Sequence, residues 1–431
     1  MNEWKKVKIG DVLTERVGRY KPNDSLLEKY KRIEKIDFAG NIFISNKPSK
    51  TDMILVYPND LIISGINVYK GAFAVYCGDE IVSATIHYSS YIFNSNLLYK
   101  DYFAYFLKSS AFLDILKKQV KGGIKTEIKA KTFLQLEIML PDIDEQKHIV
   151  SNLSNKLGKI ENLTNENEKQ SEYIKKLRQS ILQDAIEGKL TVEWRKDNPV
   201  IKGNPDFDAE SLFEKIQQEK QKAQAGKKQK QLPPIADNEK AFEIPDSWKW
   251  VRLGEIIELI SGQDLEPSKY NDKEEGVPYL TGASNFEEGR IIINRWTRFP
   301  KSIARKNDIL LTCKGSCGEV AIADFDEAHI ARQIMAVRSI SILSFKYLEL
   351  LIKSLVEHIK SQAKGLIPGI ERNTVLSIPC AIPPLKEQEE IVRIIDEKFA
   401  KLDLIEQEIK QRESYINSLK RSIMEEVFEG E

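Results

Sequence analysis

Displaced by 242 positions, the sequence falls onto itself. Ile128 to Gly188 lies on Ile370 to Gly430 without a gap, and eighteen of the 61 positions are identical. Pro141, Glu145-Gln146, Ile149-Val150, Tyr173-Ile174, Leu177, Ser180-Ile181 and Glu187-Gly188 meet Pro383, Glu387-Gln388, Ile391-Val392, Tyr415-Ile416, Leu419, Ser422-Ile423 and Glu429-Gly430. A displacement of 244 aligns the two starts, Trp4-Lys5-Lys6-Val7-Lys8-Ile9-Gly10-Asp11 with Trp248-Lys249-Trp250-Val251-Arg252-Leu253-Gly254-Glu255. Self-similarity of this kind means one structural unit built twice.

The segments that end each half read as long helices. In the first, Lys156, Ile160, Leu163, Asn167, Gln170, Ile174, Leu177 and Ile181 follow alternating steps of three and four. In the second, Leu402, Ile405, Ile409, Arg412, Ile416, Leu419 and Ile423 do the same, and no proline interrupts either run. Residues 144–186 would extend roughly 60 Å, longer than one globular domain needs, and the remaining faces are charged. The pattern predicts that the two helices pair as a coiled coil. Asn167, Gln170 and Arg412 interrupt the apolar seam near its middle, where polar layers fix register at a cost in stability.

The boundaries that follow are a globular head at 1–142, a helix at 143–187, a linker at 188–246, a second head at 247–384 and a second helix at 385–431. Both heads contain short β-rich runs broken by Gly, Asn and Asp, such as Asp60-Leu61-Ile62-Ile63 and Asp308-Ile309-Leu310-Leu311, followed by apolar helical stretches near 101–120 and 344–363. The fold class is α+β, two mixed α/β heads separated by long helices. Between the halves, Lys220-Gln221-Lys222-Ala223-Gln224-Ala225-Gly226-Lys227-Lys228-Gln229-Lys230 and then Pro233-Pro234 read as a solvated, partly helical linker.

At 431 residues and 41% apolar content, each of two or three units can bury its own core. No run of eighteen apolar residues exists, and Met1-Asn2-Glu3-Trp4-Lys5-Lys6 lacks the apolar stretch of a secretion signal, so a cytoplasmic protein without a membrane partner is expected. The formal net charge of zero hides a distribution: residues 1–142 carry 21 basic and 16 acidic side chains, residues 385–431 carry 8 and 13. A basic head surface is therefore compatible with overall neutrality, and phosphate neutralisation by Lys and Arg is what holds duplex DNA.

Several short motifs invite an enzymatic reading, and each fails in context. Asp326-Glu327-Ala328-His329 spells a helicase Walker B tetrad, yet no G-x-x-x-x-G-K-[ST] loop exists to hold a nucleotide. Pro141-Asp142 with Glu145-Gln146-Lys147 resembles nuclease elements whose carboxylates must converge on Mg²⁺ from separate strands. Here they fall at a helix start, where Asp144 and Glu145 suit the dipole. Leu232-Pro233-Pro234-Ile235 and Ile382-Pro383-Pro384-Leu385 lack the amide or carboxylate and the aromatic ring of an adenine methyltransferase motif. Cys77, Cys313, Cys317 and Cys380 are too scattered for a disulfide scaffold. Cys313 and Cys317 with His329 lack a fourth ligand, so thiols and no metal are expected. No catalytic set emerges.

Ile382-Pro383-Pro384-Leu385-Lys386-Glu387-Gln388-Glu389-Glu390-Ile391-Val392, opening a long helix, resembles the hallmark of the specificity subunits of type I restriction-modification systems. So do Gly188-Lys189-Leu190-Thr191 with Trp194-Arg195 and Asn198-Pro199, and Ile244-Pro245-Asp246-Ser247-Trp248. The likeness spans nearly the whole chain. It departs at Leu140-Pro141-Asp142-Ile143-Asp144-Glu145-Gln146, where one proline stands for two. The resemblance implies two target-recognition domains, each reading one half of a bipartite, asymmetric site on double-stranded DNA, and two helices paired antiparallel as a spacer. It implies a complex with two modification (methyltransferase) subunits that use S-adenosylmethionine and with restriction subunits that use ATP and Mg²⁺. This chain would be non-catalytic and would bind none of those cofactors. A tandem repeat with antiparallel helices acquires an approximate two-fold axis.

Base reading needs amide, hydroxyl and guanidinium groups presented from loops, with Lys and Arg close by for phosphates. In the first head the candidates are Asn67, Tyr69, Lys70, His87, Lys121, Gly122, Gly123 and Lys125. In the second they are Gln263, Tyr270, Ser284, Asn285, Lys314, Ser316, Arg332, Gln333, Lys364 and Gly365. The basic glycine loops Lys121-Gly122-Gly123 and Lys364-Gly365 recur ahead of both helices, and backbone can approach phosphate closely at glycine. The rival readings are a stand-alone methyltransferase or nuclease, a structural coiled-coil adaptor, and a non-catalytic DNA-binding adaptor of another DNA-modification system.

Overall fold

The computed structural model describes residues 4–120, 128–223, 232–287, 289–362 and 369–428. The chain divides into two compact units, Met1–Lys169 with Ile409–Glu431, and Gln170–Glu408. Both divisions fall inside the long helices, which run Ile143–Ile186 and Leu385–Phe428, each 44 residues.

In the first unit, Lys5–Lys8 pairs antiparallel with Glu137–Leu140, so the strand that opens the head lies beside the one that closes it, just ahead of the long helix. Between them are two four-stranded sheets. One has the order Leu13–Glu15, Tyr88–Phe93, Leu61–Ser64, Phe73–Val75. The other has the order Ile42–Ser45, Arg32–Ile36, Val82–Thr85, Met53–Val56. Only the Arg32–Ile36 and Val82–Thr85 contact is parallel. Leu61–Ser64 and Met53–Val56 are buried along their whole length, which is why they read as continuous apolar runs rather than alternating ones. The helices Lys100–Leu107 and Ser110–Gln119 bring Phe103, Phe106 and Phe112 onto the first sheet, and Phe428, at the end of the second long helix, packs on Tyr102 and Phe106.

The second unit repeats this topology. Lys249–Arg252 pairs with Pro379–Ile382. The sheets follow Ile257–Ser261, Ile334–Ser339, Ile309–Thr312, Val320–Ile322 and Trp296–Thr297, Val277–Leu280, Glu327–Ile330, Ile303–Arg305. The single parallel contact recurs between Val277–Leu280 and Glu327–Ile330. An added hairpin, Phe286–Glu287 with Arg290–Ile291, distinguishes this head.

The same turn precedes the central strand in both heads. Asn59 and Asn307 adopt left-handed backbone at φ 68° and 69°, a region in which Asn is tolerated better than other non-glycine residues. The buried Asp60 and Asp308 follow. Asp60 accepts two bonds from Arg16, at 2.6 and 2.8 Å, and others from the Tyr57 backbone and Ser90 Oγ. Asp308 accepts two from Arg338, at 2.9 and 2.8 Å, and one from the Arg305 backbone. The carboxylate keeps its place while the arginine comes from a different strand.

The repeated Glu-Gln pair explains how each helix is fixed to its head. Gln146 is fully buried; its Oε1 accepts from the Tyr99 backbone at 2.7 Å and its Nε2 donates to Leu97 O and Pro141 O. Gln388 makes the matching bonds, from the Ser344 backbone at 3.2 Å and to Pro383 O at 2.9 Å.

The expected helix seam divides in two. Ile160, Asn167, Ile174 and Ile181 are buried, as are Leu402, Ile409, Ile416 and Ile423, a spacing of seven in each helix. Asn167 Nδ2 donates to the Ile409 carbonyl at 3.1 Å. In the first unit Lys156 meets Glu426; in the second Arg178 meets Asp403 and Glu406. By contrast Leu163, Leu177, Ile405 and Leu419, expected in the seam, are 42–49% exposed; Arg412 is exposed and Gln170 half-buried. In each helix one position per heptad is buried and the alternate set is exposed.

The linker is partly helical and buries more than its polar run suggests. Among its described residues, the helix Ala209–Ala223 buries one face, with Ala209, Leu212 and Ile216 fully buried, because their spacing of three and four makes an apolar stripe; Glu210, Glu214, Lys215 and Lys222 on the helix are exposed, and positions 224–230 of the polar run lie outside the described residues. Lys220 Nζ donates to the Gly254 and Ile257 carbonyls, and Gln217 Nε2 to Glu255 O. Earlier in the linker, Thr191 and Arg195 bond the fully buried Glu387 carboxylate, as does Ser247 at the start of the second head. Glu145, the repeat mate of Glu387, is exposed.

Candidate nucleic-acid interface

In both heads the strand order brings the loops that follow the same strands together at one tip. In the first head, Val68–Lys70 makes one tight turn after Leu61–Ser64 and closes at Gly71, φ 94°. A Cβ at Gly71 would lie 2.5 Å from the Phe38 carbonyl, so only glycine fits there without a shift. Val68 is the buried foot of this loop; Asn67 and Tyr69 are half-buried and Lys70 exposed. Lys70 Nζ lies over the rings of Phe38, 5.3 Å away, and Tyr69, 5.5 Å away. The Gly65 backbone donates to the His87 carbonyl at 3.1 Å, and His87 itself is exposed. Thus Asn67, Tyr69, Lys70 and His87 belong to adjoining loops. Lys121, Gly122, Gly123 and Lys125 lie outside the described residues.

Phe38, 58% exposed, and Ile66, 47% exposed, share this tip and were missed by sequence reasoning. The available signal was the turn that carries Phe38. Asp37 accepts bonds from the Asn41 side chain and from the Asn41 and Ala39 backbones, which hold its carboxyl below the ordinary carboxylate range.

In the second head the equivalent tip is tighter. Ala331-Arg332-Gln333-Ile334 is a turn closed by Ile334 N to Ala331 O. The Cys313 backbone donates to Gln333 O at 2.8 Å, the counterpart of the Gly65 to His87 bond. Gln263 N donates to Ile330 O, while the Arg332 backbone N donates to Asp264 Oδ1 at 3.1 Å and its guanidinium Nε forms an ion pair with Asp264 Oδ2 at 2.7 Å. A Cβ at Gly282 would come within 2.0 Å of the Gln333 amide oxygen. The Tyr270 ring packs 5.3 Å from Tyr279 and carries the Arg295 guanidinium at 5.2 Å. Gln263, Ser284, Lys314, Ser316, Arg332 and Gln333 are exposed.

Asn285 does not belong with them. It is fully buried; its Oδ1 accepts from the Thr281 and Gly282 backbones and its Nδ2 donates to Ile292 O. Its amide is committed to the base of the added hairpin, a role that loop composition does not distinguish from base contact. Lys364 and Gly365 lie outside the described residues.

Cys313 is buried, and desolvation pushes its thiol up to about 11; burial also raises Cys317. Burial lowers the pKa of His329, whose ring stacks on Tyr279 at 5.0 Å with Nδ1 beside the Ser302 backbone. These directions favour neutral, packed side chains. Among the described residues no group of three or more His, Cys, Asp or Glu is placed to hold a metal, and no helix is long and apolar enough to cross a membrane.

The type I restriction modification DNA specificity domain model matches residues 1–172 and 245–413. The chain is similar to the type I restriction enzyme EcoEI specificity subunit of Escherichia coli, 28% identical over 257 residues, 54% of this chain and 42% of that protein. It is also similar to the EcoDI specificity subunit of Escherichia coli, 25% identical over 344 residues, 78% of this chain and 71% of that protein. The chain thus spans less than half the length of the first relative and about seven tenths of the second. Its fold is like that of a chain solved in work on complex assembly and conformational transition of the type I R-M system, with TM-score 0.70, 18% identity and coverage of 99% and 98%. The HsdS subunit from Thermoanaerobacter tengcongensis has TM-score 0.51, 17% identity and coverage of 99% and 97%. A family model matched twice, over the same two halves that the internal repeat defines, places the chain in the type I restriction modification DNA specificity family.

Proposed function

We propose that this chain reads DNA sequence for a type I restriction-modification complex, each head taking one half of a bipartite, asymmetric target. The observation that carries this reading is that two heads with the same order of strands in both four-stranded sheets end in tips of different chemistry. A constant scaffold under variable exposed groups is what two independent half-site readers need. Heads at 1–142 and 247–384, helices at 143–187 and 385–431, and an antiparallel coiled coil with approximate two-fold symmetry complete the reading. It is supported by the order of the contacts, Lys156 with Glu426 and Arg178 with Asp403, which run in opposite directions along the two helices. It is supported as well by Asn167 meeting Ile409, its own repeat mate 242 residues on.

The helices also offer a partner surface. The first unit exposes Leu163, Tyr415 and Leu419; the second exposes Ile405, Tyr173 and Leu177, the same three positions under the repeat. Apolar side chains left outward at matching places in both units fit two copies of one helical partner, and we assign them to two modification subunits. Restriction subunits join the same cytoplasmic complex. Catalysis, S-adenosylmethionine, ATP and Mg²⁺ then belong to those partners, and this chain is non-catalytic. Mapping methylated adenines genome-wide in cells with and without this gene tests the reading. A split, asymmetric motif that vanishes with the gene is expected; an unchanged methylation pattern would overturn it.

A further inference from the structure

Arg332 and Asp264 form a pair that stability alone does not explain. Their side chains are 65% and 45% exposed, and an ion pair so open to solvent contributes little to stability. Yet the arginine is held with unusual completeness. Its backbone N donates to one oxygen of the Asp264 carboxylate, and its Nε forms an ion pair with the other. Its carbonyl accepts from Cys313 Sγ, the next carbonyl accepts from Cys313 N, and the preceding Ala331 is buried and donates to Leu280 O. Nε is the guanidinium atom of the ion pair, 2.7 Å from the carboxylate, and the side chain stays 65% exposed to solvent.

We propose that Asp264 is a positioning residue that presents Arg332 to the O6 and N7 acceptors of a guanine in the major groove of the second half-site. The inference rests on the DNA-reading function proposed above. A planar guanidinium matches that pair of acceptors in a bidentate contact, and an arginine fixed before binding loses less freedom when it docks. A phosphate would be the competing target for an exposed arginine, but the Asp264 carboxylate beside it repels a phosphate. Guanine offers neutral acceptors, and the carboxylate can itself accept from the N4 amino group of a cytosine. Asp264 was not among the residues that the sequence nominated. The first head has His87 at the matching turn, so the device belongs to one half-site only.

The test maps methylated sites in cells expressing the whole complex with wild-type chain, Arg332→Ala, Arg332→Lys, Asp264→Ala or Asp264→Asn. The wild-type motif should hold a guanine at one position of the second half. Arg332→Lys keeps the charge and the fold but loses the fork, and should reduce discrimination at that position by about 5- to 100-fold. Asp264→Ala should relax the same position by a smaller factor, and Asp264→Asn, which keeps an acceptor for the Arg332 N–H groups, should recover part of it. The first half-site serves as the internal control for folding and assembly. A bipartite motif whose second half has no guanine-dependent position would overturn the inference and leave the DNA-reading function standing. So would Arg332 variants that weaken all sites uniformly, as a phosphate contact would, or Asp264→Ala indistinguishable from wild type. A wild-type chain that directs no sequence-selective methylation would overturn both.

Discussion

The two heads differ least where they are buried and most where they meet solvent. Asp60 and Asp308 occupy the same turn before the same strand, and Gln146 and Gln388 make matching clamps. At the tips, Phe38, Lys70 and His87 of the first head correspond to a buttressed arginine, a glutamine and an added hairpin in the second. Buried polar groups must be paired, so they constrain their neighbours; tip residues answer only to what they touch in a complex. The difference teaches that, on the proposed reading, specificity belongs to the tips while the buried contacts common to both heads supply the scaffold.

The largest effect that would sharpen this comparison is expected at the buried carboxylates. Asp60→Ala and Asp308→Ala should each cost about 3 kcal/mol, since removing one partner strands the other's charge, and each should abolish reading of its own half-site only. Denaturant melts with methylation mapping check this; loss of both half-sites from one variant would show that the heads are not independent. A comparably large contrast is expected along one helix. Ile174→Asp buries a charge in the seam and should cost about 3 kcal/mol or more, whereas Leu177→Asp and Leu419→Asp, about half exposed, should change the chain's own stability by about 1 kcal/mol or less. The exposed pair should nevertheless abolish methylation at every site by blocking modification subunits, measured by co-purification. Unchanged methylation in both would remove the proposed partner surface.

Smaller effects separate the clamps. Gln146→Ala, which loses three hydrogen bonds, should destabilise its unit by about 1–3 kcal/mol, and more than Gln388→Ala, which loses two; equal midpoint shifts in denaturant would count against that ranking. Smallest is a pH effect confined to the second unit. Bonds from the Arg252 side chain and then the Ala236 backbone hold the Glu239 carboxylate down to about 2. Its folded pKa lies below its unfolded value, so this anchoring of the linker is present above the ordinary glutamate range and fades as pH falls toward 2. Protection against hydrogen exchange around 233–240, taken as the ratio of the intrinsic to the observed rate at each pH, should fall across that window in the wild type. In Glu239→Gln, protection there should already be lower at neutral pH and should change little across the window. A wild type whose protection is constant across the window would contradict the anchoring.

Much of the plan was legible because repeats and long helices are written in single residues at fixed spacing. The helix expected over 385–431 runs Leu385–Phe428, and that over 143–187 runs Ile143–Ile186. The division of the heptad pattern was not legible: Ile174 and Leu177 look alike in sequence, and only the approach of the other helix decides which is covered. The linker's buried face was not legible for a related reason, its polar run masking the stripe Ala209, Leu212 and Ile216 just before it. Loop composition nominated Asn285 and Arg332 equally. The first is consumed by the backbone of its own turn and the second is exposed and paired with Asp264, a distinction made by contacts between loops distant in sequence.

The central claim is that each head reads its own half of the target, and exchanging one head tests it most directly. Residues 209–384 should be replaced by the corresponding segment of a related specificity subunit, starting at 209 so that the linker helix held by Lys220 travels with its head. Genome-wide adenine methylation in cells carrying the chimera should show a new second half-site with the first half-site and the gap between them unchanged. A folded, assembled chimera that alters both half-sites, or that methylates one continuous sequence, would contradict the account.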